Sequence, residues 1–272
     1  MTVITTNVSA LRAQNASRMA DNQTATAMAR LASGKRINSA KDDAAGLGIA
    51  TRMEANVRGF TQAIRNANDG ISLAQTAEGA LSETSNVLVR MRELAVQSAN
   101  GTLTTADRTA LQAEVTQLIS QIGDIATRTT FNGTSLLNNA STAISIQTGI
   151  DSGQTVSISI GDMQASALGV ASLDLSTSSG ASGALGTLNT AINTVAAQRA
   201  NLGAAQSRLE STVNNLSSSV ENLSASKSRI EDADYSVETT KLASSQILQQ
   251  ASTAMLAQAN QSAQGVLTLL RG

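Results

Sequence analysis

The chain has no cysteine, histidine, tryptophan or proline, and its aromatic residues amount to one tyrosine and two phenylalanines. Without cysteine there is no disulfide framework, and without cysteine and histidine there is no zinc site of the usual nitrogen and sulfur type. Average proline usage of about 5% would place roughly a dozen in a chain of this size. Their absence removes both the main helix breaker and the slow cis/trans step of folding. Aromatic side chains normally supply much of a compact core, so three in 272 residues argue against a single globule. Nineteen basic residues against twenty acidic ones leave a net charge of −1, which offers no electrostatic footprint for nucleic acid or an anionic membrane surface.

Two further absences concern the ends. The N-terminal "MTVITTNVSALRAQNASRMADNQ" lacks the basic, apolar and small-residue regions of a secretory signal, so if the protein leaves the cell it uses another route. Residues 242–270 carry no charge, but Gln246, Gln249, Gln250, Gln258, Asn260, Gln261 and Gln264 interrupt them, which excludes a transmembrane helix there.

What is present is periodicity. Leu188, Val195, Leu202, Leu209, Leu216, Leu223 and Ile230 recur every seven residues, with Ile192, Arg199, Gln206, Val213, Val220 and Lys227 interleaved. This is a sustained heptad with three polar intrusions. A second stripe runs from 40 to 99 through Ile49, Met53, Val57, Phe60, Ile64, Ala67, Ile71, Ala74, Leu81 and Leu88. A third spans about 105 to 129 through Leu111, Val115, Leu118, Ile122 and Ile125. At 1.5 Å per residue the first two would be about 65 and 90 Å long. A compact globule of this size would be only about 50 Å across, so a rod is expected.

Between the helical stretches, "STAISIQTG" and "GQTVSISIGD" alternate apolar and polar residues around "IDSG" and predict a β-hairpin. "STSSGASGALG", residues 176–186, is rich in Gly and Ser and reads as a loop or link. Near the N-terminus Ile4, Val8, Leu11, Met28 and Leu31 share helical spacing, and near the C-terminus Leu248, Ala251, Met255, Ala259, Val266 and Leu269 form a stripe. Such weak amphipathic helices need a partner.

"NSAKDDAAGLGIATRM", residues 38–53, sets Asp42 beside Asp43 and resembles a reactive loop at first sight. No His, Cys or further acid supports a catalytic or metal pair there, and "GLG" is only a fragment of a dinucleotide fingerprint. The spacing instead predicts a helix start, with Asn38 or Ser39 as cap and Ser39 and Asp42 as a capping box. Asp43 adds charge at the positive end of the helix dipole, and the small residues that follow would admit another backbone. Gly101, then Thr104 and Asp107, predict a helix stop and a second capping box. The basic Lys35, Arg36 and Lys41 and the acidic Glu231, Asp232 and Asp234 either face one another across a hinge or form two separately solvated clusters. Exposed pairs of this kind are worth about 0–1 kcal/mol each.

"LASGKRINSAKDDAAGLGIATRM", "GISLAQTAEGALSE", "VRMRELAVQSANGT", "FNGTSLL", "VSISIGDM" and the closing "SRIEDADYSVETTKLASSQILQQASTAMLAQANQSAQGVLTLLRG" together resemble bacterial flagellin over nearly the whole chain. The resemblance implies a mainly α fold: an elongated antiparallel coiled-coil rod of long helices with a small β-hairpin, plus paired N- and C-terminal helices. The corresponding division is an N-terminal helix and link at 1–38, rod helices and hairpin at 39–171, a short link at 172–187 replacing outer domains, a C-terminal rod helix at 188–232 and a terminal helix at 233–272. It implies a non-enzymatic extracellular subunit that polymerises head-to-tail into the flagellar filament, without cofactor, nucleic acid or membrane insertion. Some flagellins carry a zinc peptidase, but that chemistry needs His-Glu-x-x-His, and this chain has no histidine.

The resemblance also implies Ile4, Val8, Leu11, Leu248, Met255, Val266 and Leu269 as packing positions in the polymer. The implied partners are further copies of the chain, a flagellar export chaperone, hook-filament junction proteins and the filament cap. Export is expected through the flagellar type III apparatus without a cleaved signal. In flagellins sensed by an innate immune Toll-like receptor an Arg and a Leu of the "RxRELAVQ" stretch and a Glu on the next helix matter for recognition, and these correspond to Arg90, Leu94 and Glu114. The alternative, and the primary role expected in the protein's own assembly, is that Leu94 packs against a neighbouring subunit while Arg90 and Glu114 are solvated.

Overall fold

The computed structural model describes residues 6–138 and 142–271, with side chains described from 6 to 138 and from 143 to 265. In chain order the elements are helices α1 (Val8–Ser33), α2 (Ala44–Ala99) and α3 (Thr105–Arg128), strands β1 (Thr130–Phe131), β2 (Thr134–Ser135), β3 (Thr142–Gln147) and β4 (Thr155–Ile160), then helices α4 (Ser178–Glu231) and α5 (Tyr235–Arg271). The chain divides into two compact units, one of residues 1–55 with 222–272 and one of residues 56–221. Helices α2 and α4 contribute to both.

The second unit is built on a small-residue seam. Ala63, Ala67, Gly70, Ala74, Ala77, Leu81, Thr84, Leu88, Met91, Ala95 and Ser98 of α2 alternate at spacings of four and three, and all are buried. That is the a/d register of a coiled coil. From α4 come Ala181, Ala184, Leu188, Ala191, Val195, Leu202, Ala205 and Leu209, again at heptad spacing. The two helices run antiparallel: Ser178 donates to the Ala99 carbonyl and Arg199 Nη2 to Glu78 at 2.8 Å. Large residues of α4 fill space left by small ones of α2. A methyl at Gly70 would stand 3.2 Å from Leu209 and 3.0 Å from Ile146.

The interleaved heptad positions differ from those read in the sequence. The second buried position of α4 is taken by Ala184, Ala191 and Ala205, while Ile192 and Val213 are only partly buried and Arg199 pairs with Glu78. Alanine carries little hydrophobic signal, so the eye follows the larger residue one position on. The supposed link at 172–187 is likewise shorter than expected, because α4 begins at Ser178. Thr177 Oγ1 accepts from Gly180 N at 3.0 Å, and Ala181 and Ala184 are buried. Burial on α2 overrides the poor helix propensity of Gly and Ser.

Helix α3 folds back on α2 through a turn organised by Arg108. This buried guanidinium donates to the carbonyls of Ser98 at 3.0 Å, Asn100 at 2.7 Å and Leu103 at 2.8 Å. It thereby satisfies the Ser98 carbonyl in the last turn of α2 and two carbonyls of the turn that follows. Thr104 and Asp107 form the capping box: Thr104 Oγ1 accepts from Asp107 N at 3.3 Å, and the Asp107 carboxylate accepts from Thr104 N at 2.9 Å.

Strands β3 and β4 pair antiparallel with Ile144 opposite Ile158 and Ile146 opposite Val156. Val156, Ile158 and Ile160 point inward. Gln198 of α4 donates to the Ser159 carbonyl, and Asn66 of α2 donates to that of Gln147. A second, shorter hairpin joins β1 to β2 through Asn132 and Gly133, whose φ values of 48° and 78° suit a tight hairpin turn. Irregular chain from 161 to 177 buries Met163, Leu168, Val170, Leu173 and Leu175 in the same core. Gln112 pins it with both ends of one amide, donating to Leu173 O at 3.0 Å and accepting from Leu175 N at 2.6 Å.

In the first unit the start of α2 departs from the predicted cap. Ser39 does not cap the helix. Asp42 closes a turn ahead of it, accepting from Asn38 N, Ser39 N and Ser39 Oγ, and the Ser39 hydroxyl and amide hold its carboxyl below the usual range. The cap is Asp43, whose Oδ1 accepts from Gly46 N at 2.8 Å while its carbonyl accepts from Leu47 N. A methyl at Gly46 would press on the Asp43 carboxylate and, at 2.7 Å, on the end of the buried Ile37 side chain, so these side chains would have to shift to admit it.

Candidate functional site

The ends of the chain meet along α1 and α5. Helix α1 opens at Asn7, whose Oδ1 accepts from Ala10 N at 3.0 Å while its Nδ2 donates to the Ala259 carbonyl at 3.0 Å. One side chain thus caps the helix and ties it to α5. Further along, Gln249 donates to Asp21 at 2.6 Å, Thr24 Oγ1 to Ser245 Oγ at 2.9 Å, and Arg30 Nη1 to Glu238 at 3.1 Å. Rising numbers on α1 meet falling numbers on α5, so the helices are antiparallel.

Their contact face is made of small residues. Ala13, Ala20 and Ala27 are the buried positions of α1, and Glu238, Ser245, Ser252 and Ala259 are buried on α5 at the same interval of seven. With no large apolar side chain among these buried positions, little apolar area is removed from water. Many of the larger apolar residues lie outside the seam: Val8, Leu11, Met19 and Met28 on α1 and Val237, Ile247, Leu248 and Met255 on α5 are exposed, while Leu31, Leu242 and Leu256 are half-buried. Ile4, Val266 and Leu269 lie outside the described side chains.

Glu238 supplies the charge inside this pairing. Its side chain is 5% exposed and meets both Arg30 and Lys241 Nζ, the latter at 2.8 Å. The Lys241 ammonium, then the Arg30 guanidinium, hold its carboxyl below the ordinary value against the cost of burial. Arg30 Nε is buried without a hydrogen-bond partner, so this guanidinium depends on Glu238. An open groove of about 580 Å³ beside the pair is lined by Asn22, Gln23, Thr26 and Ser244. These amides and hydroxyls offer no catalytic constellation, and among the described residues no cluster of acids could hold a metal.

The two linkers beyond the helices cross. Arg36 N donates to Glu231 O at 2.7 Å, Ala233 N to Gly34 O at 3.0 Å, and Lys35 bridges to Asp232 in antiparallel fashion. Lys35 pairs with the buried Glu231 carboxylate, which also lies 3.7 Å from Lys227, while Arg36 donates to the Ile230 carbonyl. Lys227 pairs with Glu54 as well, and that carboxylate above all raises the lysine's affinity for its proton. The remaining members of the predicted hinge set have other roles. Asp234 caps α5, accepting from Ser236 N and Val237 N. Asp232 accepts from Ser228 Oγ, and Lys41 has no ion pair among the described residues.

Arg90 and Glu114 form an exposed ion pair at 2.9 Å, joined by Glu93 at 3.0 Å. Leu94, grouped with them by the resemblance, is 1% exposed and packs in the core of its own unit. It is therefore available neither as a surface contact for a receptor nor for packing on a neighbouring subunit. Sequence inspection missed Asn7, Arg108, Gln112 and Glu238. Only the Asn at a helix start carried a readable signal.

Comparison with known proteins accords with this arrangement. The bacterial flagellin N-terminal helical region matches residues 4–142, and the bacterial flagellin C-terminal helical region matches 185–270. The chain is 45% identical to a flagellin of Xenorhabdus nematophila, with 99% of each chain covered. It is 44% identical to a flagellin of Halalkalibacterium halodurans over 99% of this chain and all of that one. To a flagellar filament 33 kDa core protein of Treponema phagedenis it is 42% identical, over 99% and 100% respectively. No helix among the described residues is long and apolar enough to cross a membrane. With both helical regions matched and full-length relatives above 40% identity, the chain belongs to the bacterial flagellin family and is an extracellular structural subunit of a flagellar filament, not an enzyme.

Proposed function

We propose that the α1 and α5 pair is the polymerising element, and that it completes its folding only when copies of the chain bury its outer faces. The observation that carries this reading is the inversion of the pair: alanine and serine lie inside, while Val8, Leu11, Met19, Leu248 and Met255 lie outside. A pair held by small residues and a few polar bonds gains little on its own, whereas packing the exposed stripes on neighbours removes apolar surface from water and offsets the cost of ordering. Association is head-to-tail, so an open helical assembly grows in place of a closed ring. Deleting residues 1–34 or 240–272 leaves the residues 56–221 unit helical by circular dichroism and abolishes seeded filament growth under electron microscopy. Normal filaments from either truncation would overturn the proposal.

The exposed Ile247, Leu248 and Met255 of α5 suit an export chaperone, which would cover them before passage through the flagellar type III apparatus. The filament cap and the hook-filament junction proteins would meet the same pair at the two ends of the polymer. Recognition by an innate immune receptor rests on the exposed Arg90 and Glu114 alone. A receptor reporter that responds equally to the wild type and Arg90→Ala removes Arg90 from that role.

A further inference from the structure

We infer that Met19, Met28 and Met255 are oxidation sites at which a two-electron oxygen donor, hydrogen peroxide being the simplest, arrests assembly of the free chain while sparing the finished filament. The inference rests on the proposed burial of α1 and α5 between copies. A chain without cysteine or tryptophan leaves its methionines as the most readily oxidised side chains, and it has seven.

The fold sorts them. Met91 and Met163 are buried in the second unit and Met53 is half-buried, whereas Met19, Met28 and Met255 are 63%, 56% and 65% exposed. Among the described residues, the three exposed methionines are all on the terminal helices. Met19 lies on the α1 face that carries Val8 and Leu11, seven residues separate Met255 from Leu248 along α5, and Met28 flanks the alanine seam on the other side. The reactive thioethers therefore sit on the surfaces that assembly must cover.

The chemistry is self-contained. A sulfur lone pair attacks one peroxide oxygen, the O–O bond breaks, and the departing hydroxide takes up the remaining proton to leave as water. Sulfur gains one oxygen and loses two electrons, and the peroxide is reduced. The product sulfoxide is polar and stiffer than the thioether it replaces. Buried against a neighbour without a hydrogen-bond partner, it raises the free-chain concentration at equilibrium with seeds by about tenfold per site.

The test treats free chain and preformed filaments with hydrogen peroxide, maps sulfoxides by peptide mass spectrometry and measures free chain left over short filament seeds. In free chain Met19, Met28 and Met255 take up oxygen before Met53, and Met91 and Met163 last, with unchanged circular dichroism. In filaments the three stay reduced. Oxidised chain elongates seeds poorly, methionine sulfoxide reductases restore it, and the triple variant Met19→Leu, Met28→Leu, Met255→Leu elongates equally with and without peroxide. If that variant fails to polymerise untreated, the reductase arm decides. Oxidised chain that polymerises like untreated chain, failure of repair to restore growth, or equal oxidation of filaments and free chain overturns the inference. Untreated wild type that fails to elongate seeds overturns the polymerisation reading first, and this inference with it.

Discussion

Replacing Glu238 by Gln removes a buried charge that links α1 to α5. The carboxylate accepts from Arg30 Nη1 at 3.1 Å and from Lys241 Nζ at 2.8 Å. Lys241 is largely exposed and its share is screened to a fraction of a kcal/mol. Arg30 is 22% exposed on its side chain and its Nε has no hydrogen-bond partner, so its charged bond to Glu238 carries more, about 1.5 kcal/mol. Glu238 also lies in the first turn of α5, where a negative charge adds about 0.3–1 kcal/mol. Gln keeps one acceptor, so the net loss is roughly 1–2 kcal/mol, or about tenfold in the opening equilibrium.

The measurement is amide hydrogen exchange of α5 residues 235–250 in the free chain. Because the folded carboxyl titrates below its ordinary 4.5, its stabilisation is present above that value and is lost as pH falls through the folded pKa. The wild type and Glu238→Gln should thus differ about tenfold in protection near pH 7 and converge once the wild-type carboxyl is protonated. Equal protection at neutral pH, or a difference that persists in acid, would refute the reasoning.

Gly46→Ala forces a methyl against Asp43 Oδ2 and Ile37; the expected loss is about 1–3 kcal/mol, seen as a lower melting temperature of the free chain. Arg108→Ala takes a charged donor from three carbonyls at the turn between α2 and α3, of which that of Asn100 keeps a bond from Leu103 N. It should cost roughly 2–4 kcal/mol in denaturant unfolding, with Arg108→Lys recovering only part because a single ammonium cannot span the fork. Gln112→Ala frees the 161–177 segment from both of its amide bonds, and cleavage there under limited proteolysis should rise about tenfold while α3 keeps its helicity.

Legibility followed residue size. The heptad of Leu188, Val195, Leu202 and Leu209 stood out because leucine and valine alternate with polar residues, and all four are buried. The hairpin was readable from its period of two. The alanine seams were not, because Ala13, Ala20 and Ala27 look the same on a helix face whether they meet water or another backbone. The Gly and Ser run at 176–186 misled for the complementary reason: local propensity argues for a loop, and only contact with α2 makes helix the lower state from Ser178 on. At the start of α2 both Ser39 and Asp43 are competent caps, and the turn closed by Asp42 selects between them.

By itself the sequence determined the family, the helical class, the exclusion of disulfides and of zinc sites built on cysteine and histidine, and the periodicity that demands partners, since all of these follow from which residues are present and how often they recur. Tertiary structure alone decided which face of each terminal helix turns inward, that Glu238 joins Arg30 across 208 positions of chain, and that Leu94 belongs to an interior. Those outcomes depend on which distant backbone approaches closely enough to exclude water, a property of the folded arrangement that no local pattern encodes.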